Sequence, residues 1–163
     1  MNRAKVSSGD VDALTDAVLT ASRLLVAVSA RSIAAVDESI TLAQFRMLVV
    51  LDSRGPVKLT SLAEHLSVNP STATRMVDRL AANGLVVRQA SPMSRRELVL
   101  ALSADGKRVV QTATRRRRAE IRKIVSRMPA GTRVGLVDAL VAFADAGGEP
   151  VVPDNWTPLG TLA

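Results

Sequence analysis

Residues 61–106 read SLAEHLSVNPSTATRMVDRLAANGLVVRQASPMSRRELVLALSADG, and the order of signals along this stretch decides the fold. Asn69-Pro70 opens a helix. Asn is a strong N-cap, and proline at the first helical position loses nothing, because its missing N–H has no partner there anyway. The helix is predicted to run to about Ala82 and to stop at Asn83-Gly84, a C-cap pair. Inside it Ala73, Met76, Val77 and Leu80 fall at i, i+3, i+4 and i+7, which makes one buried face. Ser71, Thr72, Thr74, Arg75, Asp78 and Arg79 take the other. Just upstream, Thr60 is predicted to cap a short helix over 61–66, and Ser67-Val68-Asn69 reads as a tight turn. Downstream, 85–89 (LVVRQ) and 98–102 (LVLAL) read as the strands of a hairpin, the second with three leucines on one face. The loop between them, 91–96, carries Arg95 and Arg96.

Working outward, Thr41 and Gln44 form a capping-box pair opening a helix that carries Phe45, Leu48 and Val49 and ends near Ser53. Arg54-Gly55-Pro56 is a turn, and 57–59 a short strand. Residues 1–9 read as a loose polar tail. A helix over about 10–36 follows, with Val11, Leu14, Val18, Ala21, Leu25 and Val28 at helical spacing. On the other side, Ser103 caps a long helix over 104–128 with Val109, Val110, Ile121, Ile124 and Val125 in its stripe, and Pro129 ends it. A last helix over about 131–144 shows Leu136, Leu140 and Phe143. Gly147-Gly148 stops it, and the Gly- and Pro-rich tail 147–163 is expected to be extended. The fold class is therefore mainly α with a small β-hairpin: a winged helix-turn-helix lobe plus a helical dimerisation region.

Composition narrows the function. The 163 residues suit one domain with a real core. Aromatics are 2% of the chain, so that core must be built from Leu, Val, Ile and Ala. There is no Cys and one His, His65, which removes disulfides, thiolate metal sites, His clusters and catalytic triads. No nucleophile–base pair and no Gly-rich phosphate loop is visible, so an enzyme is disfavoured and no cofactor is expected. The formal net charge is +7 and the pI about 11.2, a balance that favours a polyanionic partner. The first residues lack the apolar core of a signal peptide, and no uninterrupted apolar stretch reaches membrane-spanning length. A basic membrane-surface role lacks its amphipathic Lys/Arg-and-aromatic helix. The chain is expected to be cytoplasmic, with no membrane partner.

The exposed face of the helix after Pro70 has two readings. It is an ordinary amphipathic surface, or it enters a major groove, where slim hydroxyls reach phosphates or bases and Arg donates two bonds to a guanine edge. Arg95 and Arg96 likewise are two solvated residues on a turn, or reach a narrowed minor groove with its concentrated negative potential. A helix-turn-helix and an Arg-bearing hairpin tip, one strand apart, together favour DNA. The run of Arg115, Arg116, Arg117 and Arg118 spans every face of a helix. It reads as a solvated segment with ion pairs inside a dimer, Asp10, Asp12 and Asp16 being candidate partners, or as a positive rim near phosphates.

The stretch 40–106, and above all SLAEHLSVNPSTATRMVDRLAANGLVVR with the Arg-bearing hairpin and LALSADG, resembles the MarR family of winged helix-turn-helix regulators. The resemblance implies one domain over 1–163, in which 40–103 form the DNA-binding lobe and helices over 10–38 and 104–146 dimerise. It implies a homodimer on a pseudo-palindromic duplex operator, acting as a repressor released by a small-molecule effector. The family's recognition positions fall on Ser71, Thr72, Thr74 and Arg75, and its wing-tip Arg on Arg96, with Arg95 beside it; Arg79 shares the exposed face. The family's effectors are small anions or phenols bound between dimer base and DNA lobe, which makes Arg31, Phe45, Arg46 and Met47 candidate pocket residues, each with a plain alternative as core or surface. One departure stands out. The family wing commonly reads Asp-Pro-x-Asp-x-Arg, and here Ser91 and Ser94 hold both Asp positions, replacing a charge-assisted orienting bond by a neutral one. A winged-helix protein-interaction module that has lost DNA binding is the competing function.

Overall fold

The computed structural model describes residues 8–91 and 94–149. They fall into two compact units, Met1–Ile121 and Arg122–Ala163. The first holds α1 (Ser8–Ala34), α2 (Leu42–Arg54), α3 (Leu59–His65), α4 (Pro70–Ala82), the hairpin strands β1 (Val86–Ser91) and β2 (Ser94–Leu102), and most of α5 (Ala104–Arg127). The second holds the end of α5, then α6 (Ala130–Arg133) and α7 (Leu136–Ala146).

Local chemistry sets most boundaries of the first unit. Thr41 and Gln44 close the expected capping box: the Thr41 N–H donates to Gln44 Oε1 at 2.8 Å, and the Gln44 N–H to Thr41 Oγ1 at 3.2 Å. Gly55 ends α2 at φ +73°, and Gly84 follows α4 at φ +70°, a left-handed backbone that glycine adopts without steric cost. Ser103 works in two directions. Its hydroxyl accepts the Gly106 N–H at 2.9 Å, capping α5, and donates to the Gly84 carbonyl at 2.6 Å. Gly106 itself lies against the chain: a Cβ there would stand 2.1 Å from the Leu85 carbonyl oxygen.

One apolar core serves all of these elements. Ile33 from α1, Ile40, Phe45, Met47, Leu48 and Leu51 around α2, Leu62 from α3, Ala73, Val77 and Leu80 from α4, Leu85, Val86 and Leu100 from the hairpin, and Val110 and Ala113 from α5 are all buried in it. The buried face read from α4 is therefore present, with Met76 half-buried at its margin.

Several boundaries differ from expectation. The α3 N-cap is Lys58, not Thr60, and no side chain caps it. The expected strand over 57–59 shrinks to one antiparallel bridge, Val57 with Leu100, so the chain turns helical directly after that pairing. The hairpin is longer than predicted. Ser91 pairs with Ser94, which places Arg95 and Arg96 within β2 rather than in a loop, with a register shift between Ala90 and Ser91. Cross-strand pairing overrides the loop-like composition there. Leu98 is 64% exposed while Val99 and Leu100 are buried, because the hairpin has run past the core at that point. The predicted helix over 131–144 is two: Val134 is extended and Gly135 sits at φ +77°, interrupting the ladder before α7. Helix α1, over Gly9–Ala34, is long and apolar enough by length and composition to cross a membrane, but Asp10, Asp12, Asp16, Arg23 and Arg31 interrupt its apolar sequence, and Val28 and Ile33 are buried in protein. Residues 1–7, 92–93 and 150–163, the last including Trp156, lie outside the described residues.

Candidate nucleic-acid interface

Helix α4 is held at both ends and along its buried side. At its start Asn69 Oδ1 accepts the Thr72 N–H and the Ser71 hydroxyl, each at 2.8 Å. At its end Asn83 Nδ2 donates to Ser39 Oγ at 3.4 Å, and Ser39 is itself held by Asp37. The turn from α3 is tight enough to put Ser67 at φ +52°, and its backbone is satisfied by bonds from Ser67 N–H to the Glu64 carbonyl and Val68 N–H to the Ala63 carbonyl, both 3.0 Å. Such a conformation costs a non-glycine residue about 1–2 kcal/mol. The burial of Leu62, Ala63, Ala73 and Val77 on either side holds it.

On the outer face Ser71, Arg75 and Arg79 are exposed, and Thr72 and Thr74 are half-buried. Thr74 Oγ1 donates to the Pro70 carbonyl at 2.8 Å. With their protons committed inside the helix, the Ser71 and Thr74 hydroxyls turn lone pairs outward and suit a donor such as a base amino group better than a phosphate oxygen. Arg75 and Arg79 make no hydrogen bond or ion pair among the described residues, which leaves both guanidinium groups available to a ligand. Asp78 is different: its carboxylate takes Arg88 Nη2 from β1 at 2.5 Å. Arg95 and Arg96 have backbone positions in β2, and their side chains lie outside what is described.

The proposed effector residues separate. Phe45 is 5% exposed and Met47 not at all, both inside the core, while Arg46 faces outward. Arg31 lines a cleft of about 450 Å³ with Ser32, Ala35, Arg116, Ala119 and Glu120, between the end of α1 and the middle of α5. Arg116 was not among the sequence candidates. Its signal was the arginine run, all four members of which are exposed, Arg115 donating to Thr112 Oγ1 at 3.0 Å. His65 is exposed on α3. Among the described residues no group of acids and histidines is arranged to hold a metal ion.

A helix-turn-helix whose second helix presents free arginines, followed by a two-stranded hairpin, defines a winged-helix protein. The MarR family model matches residues 40–98. The chain is 54% identical to RV1404 of Mycobacterium tuberculosis in its crystal structure, covering 89% of this chain and 99% of that one with a TM-score of 0.82. It is similar in fold to a MarR family protein from Bacillus stearothermophilus, 20% identical over 87% of this chain and 99% of that one with a TM-score of 0.74. It is also 35% identical over 69 residues to the transcriptional repressor MdtR of Bacillus subtilis, a match covering 42% of this chain and 44%, under half, of MdtR. The chain belongs to the MarR family.

Proposed function

We propose that this chain is a transcriptional regulator that binds a pseudo-palindromic duplex operator as a homodimer and acts as a repressor in the cytoplasm, where its operator is. The observation that carries this reading is the outer face of α4, where Arg75 and Arg79 stand exposed and unpaired among the described residues on a helix fixed at both ends. A rigid helix with free arginines loses little order on entering a groove. Runs of exposed apolar side chains on α1 (Val11, Leu14, Val18) and α7 (Val137, Leu140, Phe143) support the dimer, because exposed apolar patches mark association surfaces. The repressor assignment follows MdtR, and its relatives give no reason to seek an enzyme. The cleft lined by Arg31, Arg116 and Glu120 supports release by a small anionic effector, since two guanidinium groups against one carboxylate leave its lining net positive.

Selection on genomic DNA followed by footprinting tests this. The expected footprint has two-fold symmetry, with half-sites about one helical turn apart and binding that weakens steeply with salt. A flat salt response with no enriched sequence would overturn the reading.

A further inference from the structure

Asp78 is an acid on the face proposed to meet DNA. At 3.6 residues per turn, Ser71, Arg75 and Asp78 lie within about 60° of one another around the α4 axis. A bare carboxylate there opposes binding in two ways. It repels phosphates directly, and it can capture Arg75 one turn earlier, at i−3. The structure shows neither: Asp78 pairs with Arg88 at 2.5 Å, and Arg75 makes no bond among the described residues. The partner is well anchored. Arg88 lies opposite Leu100 in the hairpin ladder, and the backbone of Leu100 also bridges Val57, so Arg88 stands on the stem of the wing, where three chain segments join, rather than at its tip.

We propose that Arg88 is a positioning residue for DNA recognition: by neutralising Asp78 from the wing stem it keeps the α4 face approachable by phosphate and leaves Arg75 free to read a base. This rests on the DNA-binding reading above. Capture of Arg75 alone would weaken binding only about twofold, as exposed helix pairs do. The larger part is the unneutralised charge against the DNA backbone, a like-charge contact of the kind that interfaces avoid. Asp78 and Arg88 are both half-exposed, so their pair adds little to stability and its removal should leave the fold intact.

The test is a cycle of full-length variants on the selected operator and on base variants at the position read by Arg75. Arg88→Met should weaken operator binding about tenfold and flatten the ranking of the base variants, with the melting temperature nearly unchanged. The double variant Asp78→Asn/Arg88→Met also lacks the ion pair but has no carboxylate, and it should return to within about threefold of wild type with the ranking restored. That rescue is what a structural brace would not show, since the brace is absent from both variants. If the double variant is as weak as Arg88→Met, Arg88 works through its own phosphate contact and the proposal fails. It fails equally if Arg88→Met binds and discriminates as wild type does. A wild-type chain with no DNA affinity would remove the DNA-binding reading itself, an outcome distinct from either failure.

Discussion

Leu48 and Leu140 are the same side chain in helices of the same protein, yet Leu48 is fully buried and Leu140 is 56% exposed. The contrast extends to their surroundings. From α2 to β2 most large apolar residues converge on one core, with Leu42 at the start of α2 and Val87 and Leu98 on the hairpin left exposed. Along α7, Val137, Leu140, Val141 and Phe143 are all exposed, and α1 repeats the pattern at Val11, Leu14 and Leu19. A region that buries its own apolar surface gains its folding free energy within the chain. A region that does not is half of an arrangement and gains it only on association. The winged lobe buries its own apolar surface, whereas the terminal helices leave theirs exposed in the single chain, as the proposed dimer requires.

The sharpest way to break this contrast is inside the lobe. Leu48→Ala should cost about 2–5 kcal/mol, the usual loss for a buried leucine that leaves a cavity. Gly106→Ala should cost about 3 kcal/mol, because its methyl group would collide with the Leu85 carbonyl, a backbone atom that cannot rotate away. Both losses should appear in denaturant melts whatever the protein concentration. If Gly106→Ala melts as wild type does, the close approach of α5 to the hairpin is wrong.

The terminal helices should respond otherwise. Leu140→Ala exposes no new cavity in a lone chain. In a two-fold dimer the change appears twice, and at about 1.5 kcal/mol per leucine the dissociation constant should rise about a hundredfold. Sedimentation over a concentration series reads this, as it does for Leu14→Ala. A dimer unaffected by either change would mean that these stripes are covered by something else.

The DNA-facing side chains come next. Arg75→Ala should cost about 1–3 kcal/mol in operator binding and relax preference at one base pair per half-site. Arg96→Ala should weaken binding while keeping the ranking of major-groove variants, and A·T-rich flanks should lose their advantage. Equal binding of every operator variant by Arg75→Ala and by wild type would displace the recognition face. An unchanged affinity for Arg96→Ala would mean that a wing with Ser91 and Ser94 in place of acids does not engage DNA.

What was legible in the sequence was what short-range chemistry decides. The Thr41–Gln44 box, the Asn69-Pro70 start, the Gly84 stop and the Ser103 cap each depend on residues at most a few positions apart, and each lies where it was read. The apolar face of α4 followed from its period alone. Most of the differences came from pairing and packing that the local pattern does not carry. The hairpin outgrew its predicted strands because pairing of Ser91 with Ser94 is a property of two strands together. Arg116 joined Arg31 at one cleft only because α1 and α5 meet there, and Phe45 and Met47 went to the core for the same reason. Gly135 was read as an ordinary helical residue, although its left-handed backbone is what divides α6 from α7.

The smallest predicted effect concerns the place where local signals and tertiary pairing disagreed. Lys58 occupies the N-cap of α3, where it supplies no acceptor to the free backbone N–H groups and sets a positive charge against the positive end of the helix. It pairs with Glu97 of β2 at 2.9 Å, but both side chains are about half exposed, 53% and 46%, so solvent screening leaves the pair roughly 0–1 kcal/mol. Replacing Lys58 by Ser would forfeit that pair and gain a hydroxyl cap of about 1 kcal/mol. The balance favours the variant by about 0.5 kcal/mol, which for a domain of this size raises the melting temperature by roughly 1–2 °C. Glu97→Gln, which removes the pair and adds no cap, should instead lower stability by no more than about 0.5 kcal/mol. The two variants thus move in opposite directions although both break the same ion pair. A matching loss in both would show that the Lys58–Glu97 contact outweighs the vacant cap, and that the wing holds α3 in place more firmly than a half-exposed pair should.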